Sequence, residues 1–328
     1  MQTTAFVGVA HIHTPGFIGM IKERGDVRVK AIYDLQAERG QQRATELGAT
    51  FTSDLQTILD DAEITSVIIC SETSYHVELV ERCAAAGKNL FVEKPLATTV
   101  ADAEKIRDAV KKAGVIFQTG FFMRSAPWAQ FIKAEVEAGH LGKVTRMRHS
   151  NCHSGSLGGW FDGEWHWIVE KDLAGGGGFA DLGAHALDIV LNTLTKTEGK
   201  VTKTSASIRN VTGKYDIDEN GTGLLTFESG ATAVVEAGWV DPKLSSPIEV
   251  HGTRGQIQIV GDKVHYFSEL VDGADGGEYS ISQASAPHAF NLFFDALDGK
   301  NIAVPLVTIE EAAEEAIVMA KMYESAGA

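Results

Sequence analysis

The sequence predicts an α/β fold: an N-terminal doubly wound parallel sheet, then an α+β part built on a large, mainly antiparallel open sheet. Three observations carry this expectation. Up to residue 119, short apolar runs alternate with helical patterns at the lengths of βαβ units. Several of those runs, 65–69 above all, are β-branched and apolar throughout, as a strand covered by helices on both faces must be. From residue 201 on, apolar and polar residues alternate in runs separated by turn residues, the pattern of antiparallel strands.

Composition sets the frame. A chain of 328 residues suggests two domains with ample core, and the expected division is 1–123 and 124–328. The net charge of −15 argues against nucleic-acid and anionic-membrane partners, which need a basic surface. No run of 18 apolar residues is present, and the first residues lack the basic-then-apolar layout of a signal peptide. Cys70, Cys83 and Cys152 are odd in number and lack metal spacing. That is the usage of buried thiols in a reducing compartment, so a cytoplasmic location and no metal are expected.

The run 5–10 reaches Gly8, and a helical pattern follows from about Pro15 with Phe17, Ile18 and Ile21 on one face. The run 27–33 alternates and then meets Asp34, and 37–47 reads as a charged surface helix. Strand 65–69, helix 75–86, strand 88–92, helix 101–113 and strand 115–119 continue the rhythm. In such a sheet the first strand-to-helix turn carries phosphates, and the dinucleotide fingerprint wants Gly-x-Gly-x-x-Gly there. This chain offers Gly8-Val9-Ala10-His11-Ile12-His13 and keeps only the first glycine. Ala10 adds a methyl where the backbone should approach a pyrophosphate. His13 is bulky where the helix should pack on the strand. The context still fits, with a strand before, a helix after, and Asp34 ending the second strand. A carboxylate there accepts hydrogen bonds from an adenosine ribose and repels a 2′-phosphate. No arginine follows Asp34 at once, so NAD is expected over NADP. Taken alone, Asp34 also reads as a strand-terminal turn residue. His11 and His13 read either as phosphate donors or as loop residues, and as a metal pair they have no obvious third ligand nearby.

Strand 88–92 ends in Glu93-Lys94-Pro95. Proline has no N–H to give to a ladder, so the strand stops there. Lys94 is left at the carboxyl end of a strand, where open α/β sheets bind their ligands. By itself such a lysine is more often a solvated surface residue.

With these residues in place, the chain resembles the glucose–fructose oxidoreductase / inositol dehydrogenase (Gfo/Idh/MocA) family. The matching text runs through Glu72-Thr73-Ser74-Tyr75-His76, Ala86-Gly87-Lys88, Glu93-Lys94-Pro95-Leu96-Ala97 and Gly120-Phe121-Phe122-Met123-Arg124. It continues with Gly139-His140-Leu141-Gly142-Lys143, the Gly-Gly-Gly-x-x-Asp-x-x-x-His stretch of 176–185, and Phe290, Phe294, Gly299, Pro305, Glu310, Ala313 and Tyr323. The phosphate turn is the departure. The resemblance implies an NAD-dependent oxidoreductase acting on a sugar, sugar derivative or cyclic polyol. It also implies cofactor contacts from Gly8, Ala10, His11, Ile12, Asp34, Ser71, Thr73, His76, Glu93, Lys94 and Gln118. Lys94, Asp181 and His185 would form the catalytic group. Members commonly dimerise or tetramerise through the C-terminal sheet, so a homo-oligomer is expected.

After Arg124 a linking helix (128–137) and a strand (144–152) lead into 155–178, rich in glycine and holding Trp160, Trp165 and Trp167. A stretch of that length without periodicity is often a functional loop. Indoles stack on sugar rings or a nicotinamide, and equally plug a domain interface. Arg124, His149, Asn151, His153, Trp160 and Trp167 are candidate substrate contacts. Asp181 and His185 are four apart, on one face if helical. A carboxylate beside an imidazole orients it and raises its pKa, as a base for alcohol oxidation needs. Asp181 could instead hydrogen-bond the substrate itself. Lys94 would stabilise alkoxide character on the reacting oxygen. The runs 201–208, 223–227, 232–239, 248–252 and 256–260 suggest a sheet of five or six strands whose second face, with Val, Ile and Trp on it, needs a partner. Residues 290–297 and 309–323 read as amphipathic helices, the last expected to return to the first domain. Two other readings share the fold. One recycles the hydride within a lyase, hydrolase or epimerase, and the other is a sugar-sensing regulator without turnover.

Overall fold

The computed structural model describes residues 1–328 other than Ser245, Asp262 and Ala328. The chain clusters into two compact units. The first is Met1–Phe122, Phe161–Gly175 and Pro287–Ala316, and the second Met123–Trp160, Gly176–Ala286 and Ile317–Ala328.

The first unit begins β1 (Gln2–Val9), α1 (Thr14–Arg24), β2 (Val27–Tyr33), α2 (Ala37–Leu47), β3 (Thr50–Thr52), α3 (Leu55–Leu59) and β4 (Ser66–Cys70). It continues α4 (His76–Ala85), β5 (Asn89–Val92), α5 (Val100–Ala113) and β6 (Phe117–Thr119). The six strands form one sheet in the order β3-β2-β1-β4-β5-β6, every pair parallel. The order reverses between β1 and β4, the switch point at which doubly wound sheets bind ligands outside the strands' carboxyl ends. All five residues of β4 are buried, which is why its sequence shows no alternation. Helices start and stop on local chemistry. Asp54 and Thr99 cap α3 and α5 by accepting the Gln56 and Asp102 N–H groups. Gly25, Gly48 and Gly114 end α1, α2 and α5 in the left-handed region.

The second unit carries α6 (Pro127–Glu137) and β7 (Val144–Cys152). The segment between β7 and the long helix is not featureless. It holds a 3₁₀ turn (His166–Val169) and α7 (Lys171–Ala174), and its part Phe161–Gly175 clusters with the first unit. Helix α8 (Gly178–Glu198) then runs 21 residues in the second unit. It is followed by β8 (Val201–Arg209), β9 (Asn220–Phe227), β10 (Thr232–Gly238), β11 (Ile248–Gly252), β12 (Gly255–Val260), β13 (Lys263–Ser268) and β14 (Asp275–Glu278). With β7 these make an eight-stranded sheet, order β14-β13-β12-β11-β7-β10-β9-β8, in which, among the described residues, only β7 and β10 run parallel. The five or six strands expected thus become eight.

Inward positions of this sheet, such as Met147, Val235, Val250 and Ile257, are buried. The opposite face is mixed, with exposed Val260 and Phe267 set among charged and polar side chains. It carries Arg148 paired to Glu236 at 2.8 Å and lying 3.9 Å from Glu249, together with exposed Thr222 and Gln256 and the half-exposed Leu224. Valines alternate too tightly with charged residues there for composition alone to tell the faces apart.

Helices α9 (Ala289–Leu297) and α10 (Ile309–Ala326) close the chain. Phe290, Phe293 and Phe294 of α9 enter the core of the first unit, where Phe290 stacks on Phe17 at 4.5 Å and meets Phe91 edge-on at 5.1 Å. Each such ring contributes about 1.5–3 kcal/mol through burial. Residues 309–316 belong to the first unit and 317–326 to the second. Among the described residues, no helix is long and apolar enough to cross a membrane.

Candidate active site

In the first unit the chemistry gathers at the carboxyl ends of β1, β2, β4 and β5. Gly8 has φ +84°, and a Cβ there would lie 2.6–2.8 Å from Ser71. Only glycine lets β1 and β4 approach so closely where the first turn begins. The turn continues with His11, whose N–H donates to the Cys70 carbonyl at 2.9 Å, and α1 starts at Thr14 with Pro15 in its first turn. Ala10 is buried, and its carbonyl accepts the Trp167 indole N–H at 2.9 Å. Ile12 is half-buried. His13 does not wedge between helix and strand. Its ring turns to Glu93, with Nδ1 3.3 Å from Oε1.

Glu93 is the buried hub of this end. Its Oε2 accepts the Lys94 N–H at 2.8 Å and lies 3.9 Å from His11 Nε2. Gly120 leaves room for it, since a Cβ there would sit 3.0 Å from both carboxylate oxygens. Burial alone would raise the Glu93 carboxyl, but His11 and His13, then Lys94, reverse this and hold it well below the usual carboxylate range. Lys94 is 1% exposed, which excludes the solvated-surface reading of that lysine.

His11, His13 and Glu93 offer ligand atoms within 4.8 Å of one another, so the histidine pair does have a third candidate ligand. The hydrogen bonding runs against a metal. His11 Nδ1 accepts the His13 backbone N–H at 3.2 Å, which leaves the ring proton on Nε2, facing Glu93. Coordination through Nε2 would need the other tautomer, with two N–H groups opposed.

Asp34 ends β2 with its carboxylate fully enclosed. Oδ2 accepts the Val9 N–H at 2.8 Å, and Oδ1 the Gln36 N–H at 2.7 Å. The sequence reading missed its main partner. Arg39, in the first turn of α2, donates through Nε to both oxygens at 3.1 Å and through Nη2 to Oδ1 at 2.9 Å. The same Nη2 reaches Glu72 at 2.9 Å. Ser71 and Thr73 are buried around Glu72. His76 is fully buried with Nδ1 3.2 Å from the Leu96 carbonyl, and burial lowers its pKa. Gln118 ties the unit together. Its Oε1 accepts the Thr119 and Val307 N–H groups.

In the second unit, Asp181 lies in the first turn of α8 and His185 one turn on, 4% exposed. The start of α8 is tightly held. Cβ atoms at Gly177 and Gly178 would lie 2.0 Å and 2.3 Å from the Asp218 and Glu219 carbonyls. Asp218 accepts the Gly177 and Phe179 N–H groups and the Tyr323 hydroxyl. Asp181 Oδ2 accepts the buried Trp239 indole N–H at 2.9 Å. Arg124 is fixed to Asp188 of α8, with Nη2 2.6 Å from Oδ1. His149 is wholly buried, Nδ1 3.3 Å from the Ala186 carbonyl, and Asn151 donates to the Leu182 carbonyl. Burial drops the His149 pKa to about 4. These three residues brace α8. His153 and Trp160 form a separate pair, rings 4.6 Å apart, with Trp160 45% exposed.

The cofactor-side residues fit a dinucleotide: a glycine-dependent close turn, a helix start and a carboxylate at the end of β2. Residues 3–121 match the model of an oxidoreductase family with an NAD-binding Rossmann fold, and residues 129–258 match the GFO/IDH/MocA C-terminal domain. The chain belongs to the GFO/IDH/MocA family. A scyllo-inositol 2-dehydrogenase (NAD(+)) of Bacillus subtilis (strain 168) is 31% identical over 250 residues, 74% of this chain and 68% of its own. A 2,7-anhydro-N-acetylneuraminate hydratase of Mediterraneibacter gnavus is 28% identical over 263 residues, 77% of this chain and 67% of its own. The solved structure of a levoglucosan dehydrogenase in complex with NADH and levoglucosan superposes with a TM-score of 0.81 at 20% identity, covering 99% of this chain and 97% of that one, a likeness of fold. The GFO/IDH/MocA chain described here therefore carries the family's NAD-binding Rossmann fold and its C-terminal domain.

Proposed function

We propose that the protein is an NAD-dependent dehydrogenase that moves a hydride between nicotinamide and a secondary alcohol of a sugar, sugar derivative or cyclic polyol. The observation that carries this is Lys94, buried at the carboxyl end of β5 beside an ionised Glu93, in a chain of this oxidoreductase family. Bound NAD supplies the hydride acceptor. The chain's own groups handle the proton and the charge. His185 takes the hydroxyl proton as the base. Asp181, held by Trp239, orients the substrate or the imidazole. Lys94 holds a positive charge at the reacting oxygen as alkoxide character develops. NAD is preferred over NADP because Asp34 stands where a 2′-phosphate would come. His153 and Trp160 contact the substrate.

A panel of sugars, anhydro-sugars and inositols with NAD and NADP, read at the absorbance of reduced nicotinamide, tests this. Reduction of NAD by at least one of them is expected, and none reducing either dinucleotide would remove the reading. The similarity to a hydratase favours a second reading, in which the hydride returns to the substrate. Product formed with catalytic NAD and no net NADH would select it. We further propose a cytoplasmic homodimer or homotetramer assembled through the C-terminal sheet. A monomeric mass by light scattering would count against it.

A further inference from the structure

Asp34 has no lone pair to spare. Four donors already converge on its two oxygens: the Val9 and Gln36 N–H groups, and two nitrogens of Arg39. The guanidinium is 9% exposed and is shared with a second enclosed carboxylate, Glu72, at 2.9 Å. Helix α2 is set down on this cluster by Gly40, where a Cβ would lie 2.5 Å from the Phe51 ring and 2.9 Å from Asp34. So a half-buried arginine stands at the end of β2, where an adenosine ribose is read, and two carboxylates hold it there. A ribose hydroxyl can reach Asp34 only by displacing an Arg39 nitrogen. A 2′-phosphate would be repelled by both carboxylates and attracted by that guanidinium, once it is released.

We propose that Glu72 sets the cofactor specificity of this site by keeping Arg39 turned away from the 2′-position of the adenosine ribose. Glu72 lies at the end of β4, 33 residues from Arg39 in sequence, and its hydrogen bond to Nη2 is the second tether on a group that would otherwise serve a phosphate. Asp34 supplies the repulsion against a 2′-phosphate, and Glu72 withholds a cation beside it that could offset it. The inference rests on the dinucleotide reading of this unit and extends it to a residue outside the phosphate turn and the β2 carboxylate.

The test is a fluorescence titration of the full-length protein with NADH and with NADPH, which needs no knowledge of the substrate. Wild type, Glu72→Gln, Arg39→Ala and the double variant are compared, with thermal unfolding to confirm that each is folded. Glu72→Gln keeps the shape and removes the charge. It should shift the ratio of the two dissociation constants toward NADPH by about tenfold, the scale of one charged hydrogen bond. The double variant should lose that gain, and Arg39→Ala alone should bind NADPH more weakly than wild type. An unmoved ratio in Glu72→Gln would overturn the proposal, as would a gain that survives in the double variant, since that would be charge removal alone. Should Glu72→Gln fail to fold, stronger NADPH binding in Arg39→Ala would overturn it by itself. Wild-type protein that binds neither dinucleotide would sink the parent reading along with this one. Binding of NADH with an unmoved ratio sinks only the inference.

Discussion

Lys94 and Glu93 are adjacent in sequence and opposite in task. Glu93 is enclosed, ionised and bonded to the Lys94 backbone, so it fixes where the lysine's chain leaves β5. Replacing Lys94 by alanine should leave that backbone in place. The expected result is a loss of about a hundredfold or more in turnover, as when one preorganised charge at a reacting oxygen is removed, while NADH still binds on titration. Near-normal turnover would show that Lys94 does not act on the reacting oxygen. Residues such as Lys94 are legible in sequence because proline marks the strand end and the motif is contiguous. Arg39 and Glu72 are not. A rule that looks for an arginine directly after Asp34 passes over one that returns to it from the first turn of the following helix, and no local pattern links it to a carboxylate two strands away. His13 shows the converse. Its bulk argues against the dinucleotide turn until its ring is seen turned toward Glu93.

At the scale of elements, α8 depends on how its first turn is held. Gly177 and Gly178 lie against the carbonyls of Asp218 and Glu219, and the Asp218 carboxylate accepts two N–H groups at the helix start. Gly177→Ala must push the Asp218 backbone away. It should cost about 1–3 kcal/mol by overpacking, seen as a lower unfolding temperature by calorimetry, and should impair turnover by shifting Asp181 and His185. An unchanged unfolding temperature would mean that the contact relaxes freely. This helix is legible from its glycine run and apolar spacing. The strands split by position. Central ones such as β4 and β10 show in the sequence because side chains on them are buried. The outer strands β3 and β14 do not. β3 has three residues, and β14 reads Asp-Gly-Gly-Glu, all exposed. Such edge strands exist through backbone pairing to a neighbour, which leaves no trace in hydrophobic period.

At the scale of the whole molecule, the two units should share a direction of pH dependence. His149 is neutral in the fold, its pKa lowered from 6.5 to about 4 by burial. Unfolding restores its affinity for a proton, so between those values the unfolded chain binds more protons than the folded one. Stability therefore falls as pH drops through this window, and His149 alone accounts for at most about 3 kcal/mol of the loss. His76 and His288, both lowered by burial in the first unit, act in the same direction. Glu93 enters later. Its depressed carboxyl contributes stability that is present above its unfolded value near 4.5 and is lost as pH falls below it. The order of events is thus set: histidines first, then the Glu93 carboxylate at the end of β5. Urea unfolding at a series of pH values from 7 downward should show stability declining well before carboxylates titrate. His149→Phe, which fills the same space without a titrating group, should reduce the slope above pH 4.5 while leaving the steeper fall below it. An identical slope in wild type and variant would mean that His149 is protonated in the fold, and the neutral core assigned beneath α8 would be wrong.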